Sequence, residues 1–297
     1  MPEVTDVDMD ETDETGKTDE TDETDEVDEV DEVDEVDEVD AEACETKLAK
    51  LRRYLAYDRS QARRDIRELL SPSRVDDLSL AMLPGLRRRA KWQSWLLENR
   101  KSTRLLIQGH LDGTTNLLLS HFCARFLSEY RFLTEYRGGD RIFLHYFCDR
   151  QYRRTRQDTN VCDIARSLIG QLLNNTQVTS RIDVSRFSST RLKWIKEQDI
   201  GETIQVLLEI LDQISDENLV LFCVIDYISR YDVKRNRPDI QEFFEKLCEF
   251  IDSRSRRRRA GQKRTIFKLL VTDPKRTDVV WRYFKDKGET LDMRCLH

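Results

Sequence analysis

Seven successive apolar residues, Leu219 to Ile225 in LVLFCVID, end at a carboxylate, Asp226. A strand with water on one face alternates apolar and polar residues, so an unbroken run predicts a central strand covered on both faces, the usual setting of a parallel sheet. RLLIQ (104–108), RIFLHYFC (141–148) and TIFKLLVT (265–272) read as further buried strands, and the terminal LDMRCL as a fifth. Between them, 116–130, 160–174, 202–214 and a segment from Ile240 to Ile251 carry apolar residues at helical spacing. Alternation of strand and helix over this length predicts the α/β class, a parallel sheet flanked by helices, because right-handed crossovers leave few other topologies.

What precedes this pattern is of a different kind. Residues 1–45 hold 24 acidic residues and one lysine, Lys17, in T-D-E triplets that become V-D-E triplets. The whole chain has 57 acidic and 50 basic residues, so 46–297 keep 33 against 49 and are basic. A three-residue period fits neither helix nor strand, and valine alone buries too little surface to offset the entropy of ordering, so 1–45 is expected to be a disordered acidic tail. The DEVD tetrapeptides within it match a cleavage preference of caspase-type proteases, but triplet expansion produces them without any role in cutting. Residues 46–100 are expected to form a helical lead-in, with helices at 46–56, 60–70 and 88–99, the last carrying Trp92 and Trp95. Residues 101–297 form the main domain.

No apolar run approaches the roughly 20 residues of a membrane span, and the N-terminus is acidic where a signal peptide is basic. An intracellular, cytoplasmic protein without membrane contact is expected. The seven cysteines never reach C-x-x-C spacing and read as reduced core thiols; no two histidines make a metal spacing on one element.

The order of motifs carries more than any one of them. A strand and glycine loop (105–115), a hydrophobic strand ending in Asp226 and a later strand ending in Thr272, Asp273 and Pro274 follow the sequence of Walker A, Walker B and sensor 1 in a P-loop ATPase. The stretch HYFCDRQ…DIARSLIGQLL (145–173) adds an R-S-L-hydrophobic-x-Q-L-L helix, Arg166 to Leu173, after a Y-F-C strand, and Trp95-Leu96 stand shortly before the glycine loop. Together these make residues 88–297 resemble the NACHT domains of NLR-type signalling NTPases, especially the fungal, nephrocystin-3-like N-terminal type. The resemblance implies a nucleotide site formed by Gly109, Gly113, Thr114 and Thr115 of Walker A, Asp226 of Walker B and Thr272 of sensor 1.

The departures fall on the chemistry. A working loop reads G-x-x-x-x-G-K-[ST], and no lysine lies between Gly109 and the end of the following helix. In one register Gly113 is the second glycine, Thr114 stands at the lysine and Thr115 at the Mg²⁺-binding hydroxyl; in the other, Thr114, Thr115 and Asn116 take those three places. Threonine is shorter than lysine and neutral, so the charge that reaches the β- and γ-phosphates is missing. Asp112 adds a carboxylate to the loop; at roughly 5 Å and an effective dielectric of about 20, one like charge costs on the order of 3 kcal/mol. After Asp226 the chain reads DYISR, so Ser229 and Arg230 stand where the family has further acids, and arginine cannot act as a base. TDPKR keeps Thr272 and Pro274 of the family's T-S-R-P, with the arginine displaced to Arg276. The same residues also serve as an ordinary strand end and turn.

These readings predict a degenerate P-loop module, a pseudo-NTPase that acts as an interaction or signalling remnant through protein partners the sequence does not identify. No cofactor is expected, and Mg-ATP only if the nucleotide site is retained. The sequence ends before the winged-helix and sensor regions of the family, and no repeat period replaces them. Two alternatives stay open: a weak ATP-binding NTPase using Lys101 or Arg104 in place of the lost lysine, and a nucleic-acid-binding protein using the basic body. The run RSRRRR, Arg254–Arg259, with Lys263 and Arg264, is expected to be a solvated loop and otherwise a nuclear-import or nucleic-acid patch.

Overall fold

The computed structural model describes residues 46–71, 77–109, 117–137, 140–155, 160–275, 277–285 and 288–293. The acidic segment 1–45, loop residues 110–116 with Asp112, Gly113, Thr114, Thr115 and Asn116, Arg276, and Cys44 and Cys295 lie outside them. Contacts divide the chain after Asp40, and every described residue belongs to the second unit, Ala41–His297.

Four helices come first: α1 over 46–55, α2 Arg59–Leu69, α3 Asp77–Arg88 and α4 Ala90–Leu97. Then follow β1 Thr103–Gln108, α5 Leu117–Arg137, β2 Arg141–Phe147, α6 Cys148–Thr155, α7 Cys162–Leu173, α8 Thr176–Thr179, α9 Ser189–Lys196 and α10 Ile200–Gln213. The last part is β3 Val220–Asp226, α11 Arg237–Arg259, β4 Ile266–Asp273, α12 Asp278–Trp281 and β5 Thr290–Asp292. The five strands make one parallel sheet in the order β2-β3-β4-β1-β5. This is the α/β fold that the apolar runs imply: β3 and β4 lie inside the sheet, where both faces need cover.

Alternate residues of each strand feed two cores. Leu106, Cys223, Ile225, Leu269 and Val271 pack with α1, α7, α10 and α11 on one face. Leu105, Ile107, Phe222, Val224 and Leu270 pack with α2, α3, α4 and α5 on the other, where Phe143 stacks on Phe222 at 5.1 Å and Trp92 meets Phe122 edge-on at 4.8 Å. The lead-in helices therefore share the cores of the sheet. Five described cysteines, Cys123, Cys148, Cys162, Cys223 and Cys248, are buried free thiols. Among the described residues no helix is long and apolar enough to cross a membrane, and no cluster of three or more His, Cys, Asp or Glu is arranged to hold a metal ion.

Two motif residues acquire structural roles. β2 is an edge strand, and an open edge exposes unpaired backbone groups. The Gln171 amide of α7 closes it: Nε2 donates to His145 O at 2.7 Å and Oε1 accepts from His145 N–H at 3.0 Å. Gly170 beside it lets Tyr57 lie against α7, since a Cβ there would meet Tyr57 Cβ and Cγ.

The basic run is a correction. Arg254–Arg259 form no loop; they are the last turns of α11, because arginine is a strong helix former and no breaker intervenes before Gly261, which has a φ of +83°. Arg254 turns inward, 2% exposed, and its guanidinium donates to Leu211 O at 2.6 Å and Ile214 O at 3.0 Å. These are carbonyls at the end of α10, which no intrahelical donor satisfies. Burial pulls the Arg254 pKa down to about 10. Arg256, two residues on, is exposed. Replacing Arg254 by alanine should cost about 3 kcal/mol, since two charge-assisted bonds and the end of α10 lose their donor, while Arg256→Ala should stay within about 0.5 kcal/mol. Urea unfolding of both variants checks this; equal small losses would show that α10 is held some other way.

Candidate functional site

Parallel strands end together, and open α/β sheets place ligands beyond their carboxyl ends. Here the register brings Asp226 opposite Thr272, Thr272 opposite Ile107, and Gln108 opposite Asp273. Gly109 follows directly, its N–H donating to Asp273 O at 2.7 Å. Gly109, Asp226 and Thr272, the three described members of the expected site, thus converge at one edge. Gly113, Thr114 and Thr115 lie outside the described residues.

The Asp226 carboxylate is fully buried, and both of its oxygens are taken. Thr272 Oγ1 donates to Oδ1 at 2.5 Å and Ser120 Oγ to Oδ2 at 2.6 Å. Ser120 stands on the first turn of α5, the helix after the glycine loop, with Cys123 one turn on and 3.9 Å from Thr272 Oγ1. Burial raises the Asp226 pKa to about 6, and Asp149 adds to the rise; Ser120, Thr272 and Arg150 oppose it. Ser120 escapes the motif reading because it lies beyond any phosphate-loop position. A hydroxyl on an otherwise apolar helix face, LLLSHFC, was the available signal.

The strand ends sharply after Asp226. Tyr227 adopts the left-handed region at φ 60° and ψ 47°, a conformation costly for a residue with a Cβ, and turns the chain away. Arg230 donates through Nε to Asp149 Oδ1 at 2.6 Å.

Asp273 lies on the opposite face of the sheet from Asp226, since successive strand residues alternate. Its Oδ1 accepts from Lys275 N–H at 3.1 Å, and its Oδ2 has no hydrogen-bond partner. Burial pushes its pKa to about 7, while the neighbouring Ser229 and Thr277 hydroxyls favour the charged form from outside hydrogen-bonding geometry. Lys101 and Arg104 cannot supply the missing lysine from here. Arg104 is the second residue of β1 and Lys101 precedes the strand, so Gly109 lies about 16 Å beyond Arg104 and further still from Lys101 at about 3.3 Å per residue. Arg104 is in addition bound to Glu289 at 2.5 Å.

Two carboxyls whose folded pKa values lie above the ordinary one bind protons more tightly folded than unfolded. Their contribution to stability is therefore fully present only below the ordinary carboxyl value of 3.8 and is lost as pH rises through about 6 for Asp226 and about 7 for Asp273. Asp273→Asn removes one of these losses. The variant should melt higher than the parent at pH 8 and close to it at pH 4.5, by thermal unfolding at both values. An identical difference at the two pH values would show that Asp273 does not titrate between them.

No curated protein matches the sequence significantly. Residues 85–272, from the end of α3 to the Thr272 that holds Asp226, match the family model described as Nephrocystin 3, N-terminal. That match covers more than half of the chain, which therefore belongs to the nephrocystin 3 N-terminal family.

Proposed function

We propose that this chain is a degenerate NACHT-like P-loop module, a pseudo-NTPase that serves inside the cell as an interaction or signalling remnant of a fungal NLR-like protein. The observation that carries the reading is the closed Asp226 carboxylate. A Walker B acid works by turning an oxygen toward hydrated Mg²⁺, and here both oxygens accept short hydrogen bonds from Ser120 and Thr272 in a site without solvent access. Freeing one leaves a buried hydroxyl or carboxylate unpaired, at roughly 1–3 kcal/mol or more for a charged group.

The sequence supports the same conclusion independently. Phosphoryl transfer depends almost wholly on positioning and charge stabilisation, and the glycine loop has no lysine, carries Asp112, and is followed by a strand whose second acid is replaced by Ser229 and Arg230. Several contributors are missing together, and no single side chain restores them. The fold remains and offers surfaces to protein partners.

Calorimetric titration with Mg-ATP and Mg-GTP tests this. No heat of binding is expected at micromolar nucleotide, and Asp226→Asn should leave the background phosphate release unchanged. Low-micromolar dissociation constants, or hydrolysis abolished by Asp226→Asn, would overturn the pseudo-NTPase reading.

A further inference from the structure

The arginines of the basic body are unequally committed. On α11 and beyond it, Arg254 donates to carbonyls of α10, Arg257 pairs with Asp212 at 3.4 Å, Arg258 donates to Arg264 O, and Arg264 donates to Asp212 O at 3.2 Å, while Arg256 and Arg259 are exposed without a side-chain partner among the described residues, three apart and not in a longer stripe. On α1, Arg52 donates to Leu173 O at 2.8 Å. α2 is different. Its inner face is tied down, Asp65 to Arg154, Glu68 to Arg150 at 3.1 Å and Leu69 O to His121 Nδ1 at 2.9 Å. Its outer face carries Arg59, Arg63 and Arg67, spaced four residues apart and all exposed. None of the three has an ion pair or hydrogen bond among the described residues. Like charges at this spacing weaken a helix, so the stripe is a cost to the folded chain alone.

Arg59 and Arg63 also wall a cleft of about 240 Å³ that reaches the outer edge of β2 and the turn after α7. Tyr57, His145, Asn175 and Gln177 line the rest, and no carboxylate lines it. The neighbouring cleft on the other side of His145 has Asp58, Asp65 and Asp163 in its wall. Only the first is built to accept an anion.

We propose that the outer face of α2, with this cleft, binds the phosphodiester backbone of a single-stranded polynucleotide. Residues four apart on a helix rise by about 6 Å, which is comparable to the spacing of successive phosphates along one strand, and guanidinium forks match phosphate oxygens. The cleft admits a single unstacked base and no duplex. The Asn175 and Gln177 amides and the half-buried Tyr57 ring line the cleft and suit a base edge and a base face, whereas His145 is buried beneath them. An acidic peptide would satisfy the arginines and leave those walls unused. The proposal does not depend on the fate of the nucleotide site, which lies between β3 and β4, away from this edge of the sheet.

Fluorescence anisotropy on the full chain, with labelled oligothymidylate, oligouridylate and an oligoglutamate of equal charge over a salt series, tests it. Three phosphate contacts to a single strand predict a slope of about −2 in log K against log salt. Arg59→Gln/Arg63→Gln/Arg67→Gln should weaken oligonucleotide binding about tenfold or more at low salt and flatten the slope. The triple lysine variant should keep the slope with intermediate affinity, and Arg256→Gln/Arg259→Gln should bind like the parent. Unchanged affinity in the glutamine variant, loss in the Arg256/Arg259 variant instead, absence of oligonucleotide binding at low salt, or oligoglutamate bound as tightly as the oligonucleotide would each overturn it.

Discussion

One carboxylate joins three elements. Asp226 ends β3, Thr272 stands opposite it on β4, and Ser120 reaches it from α5, so two hydroxyl–carboxylate bonds of 2.5 and 2.6 Å fix the helix after the glycine loop onto the centre of the sheet. An isolated carboxylate in such a place is strongly disfavoured, and short charge-assisted bonds are what offset it. The arrangement depends on strand register. A slip of one residue between β3 and β4 would turn Asp226 away from Thr272 and put Asp273 in its place. Asp226 therefore carries the packing of α5 against the sheet.

Cations are used inside the body in the same manner. Lys268, on the buried strand β4, is wholly enclosed and donates to Trp95 O at 2.9 Å and Leu96 O at 2.6 Å, the end of α4. Burial pulls its pKa down to about 8. Arg254 does the same for the end of α10. Helix ends concentrate partial negative charge in unpaired carbonyls, so a cation placed there is partly neutralised without a carboxylate. A basic net charge thus overstates the basic surface. α2, whose sequence RSQARRDIREL mixes inward acids with outward arginines, carries three of its exposed arginines at regular four-residue spacing without a partner among the described residues.

These differences mark the limit of what local sequence specifies. The sheet was legible because β3 and β4 are apolar at nearly every position and end at polar residues, and Asp226 and Thr272 were legible as those ends. Their meeting with Ser120 was not, since it depends on how α5 docks, a tertiary fact without a fixed spacing. α3 was unread because Pro84 interrupts its pattern, and α6 because Cys148 continues the apolar run of β2 into helix. The basic run failed for a plainer reason. Charge density suggests solvent, whereas helix propensity and the unsatisfied end of α10 decide the structure, and neither appears in a count of arginines.

The electrostatics of the carboxyl edge follow from the same substitutions. In a phosphate-binding edge the charge is balanced by lysine and metal, whereas here the described groups are Asp149, Asp226 and Asp273, with Arg153 and Arg230 both engaged by Asp149. Asp149 contributes to the raised pKa of Asp226, so the carboxyls act on one another. Burial is the main cause that raises the pKa values of Asp226 and Asp273, to about 6 and about 7, with Arg150 opposing the rise at Asp226. A polyphosphate arriving at this edge would add negative charge beside carboxyls that burial already makes costly to ionise. The edge is thus held together by hydroxyl donors on Asp226 and by buried carboxyls that titrate close to neutrality.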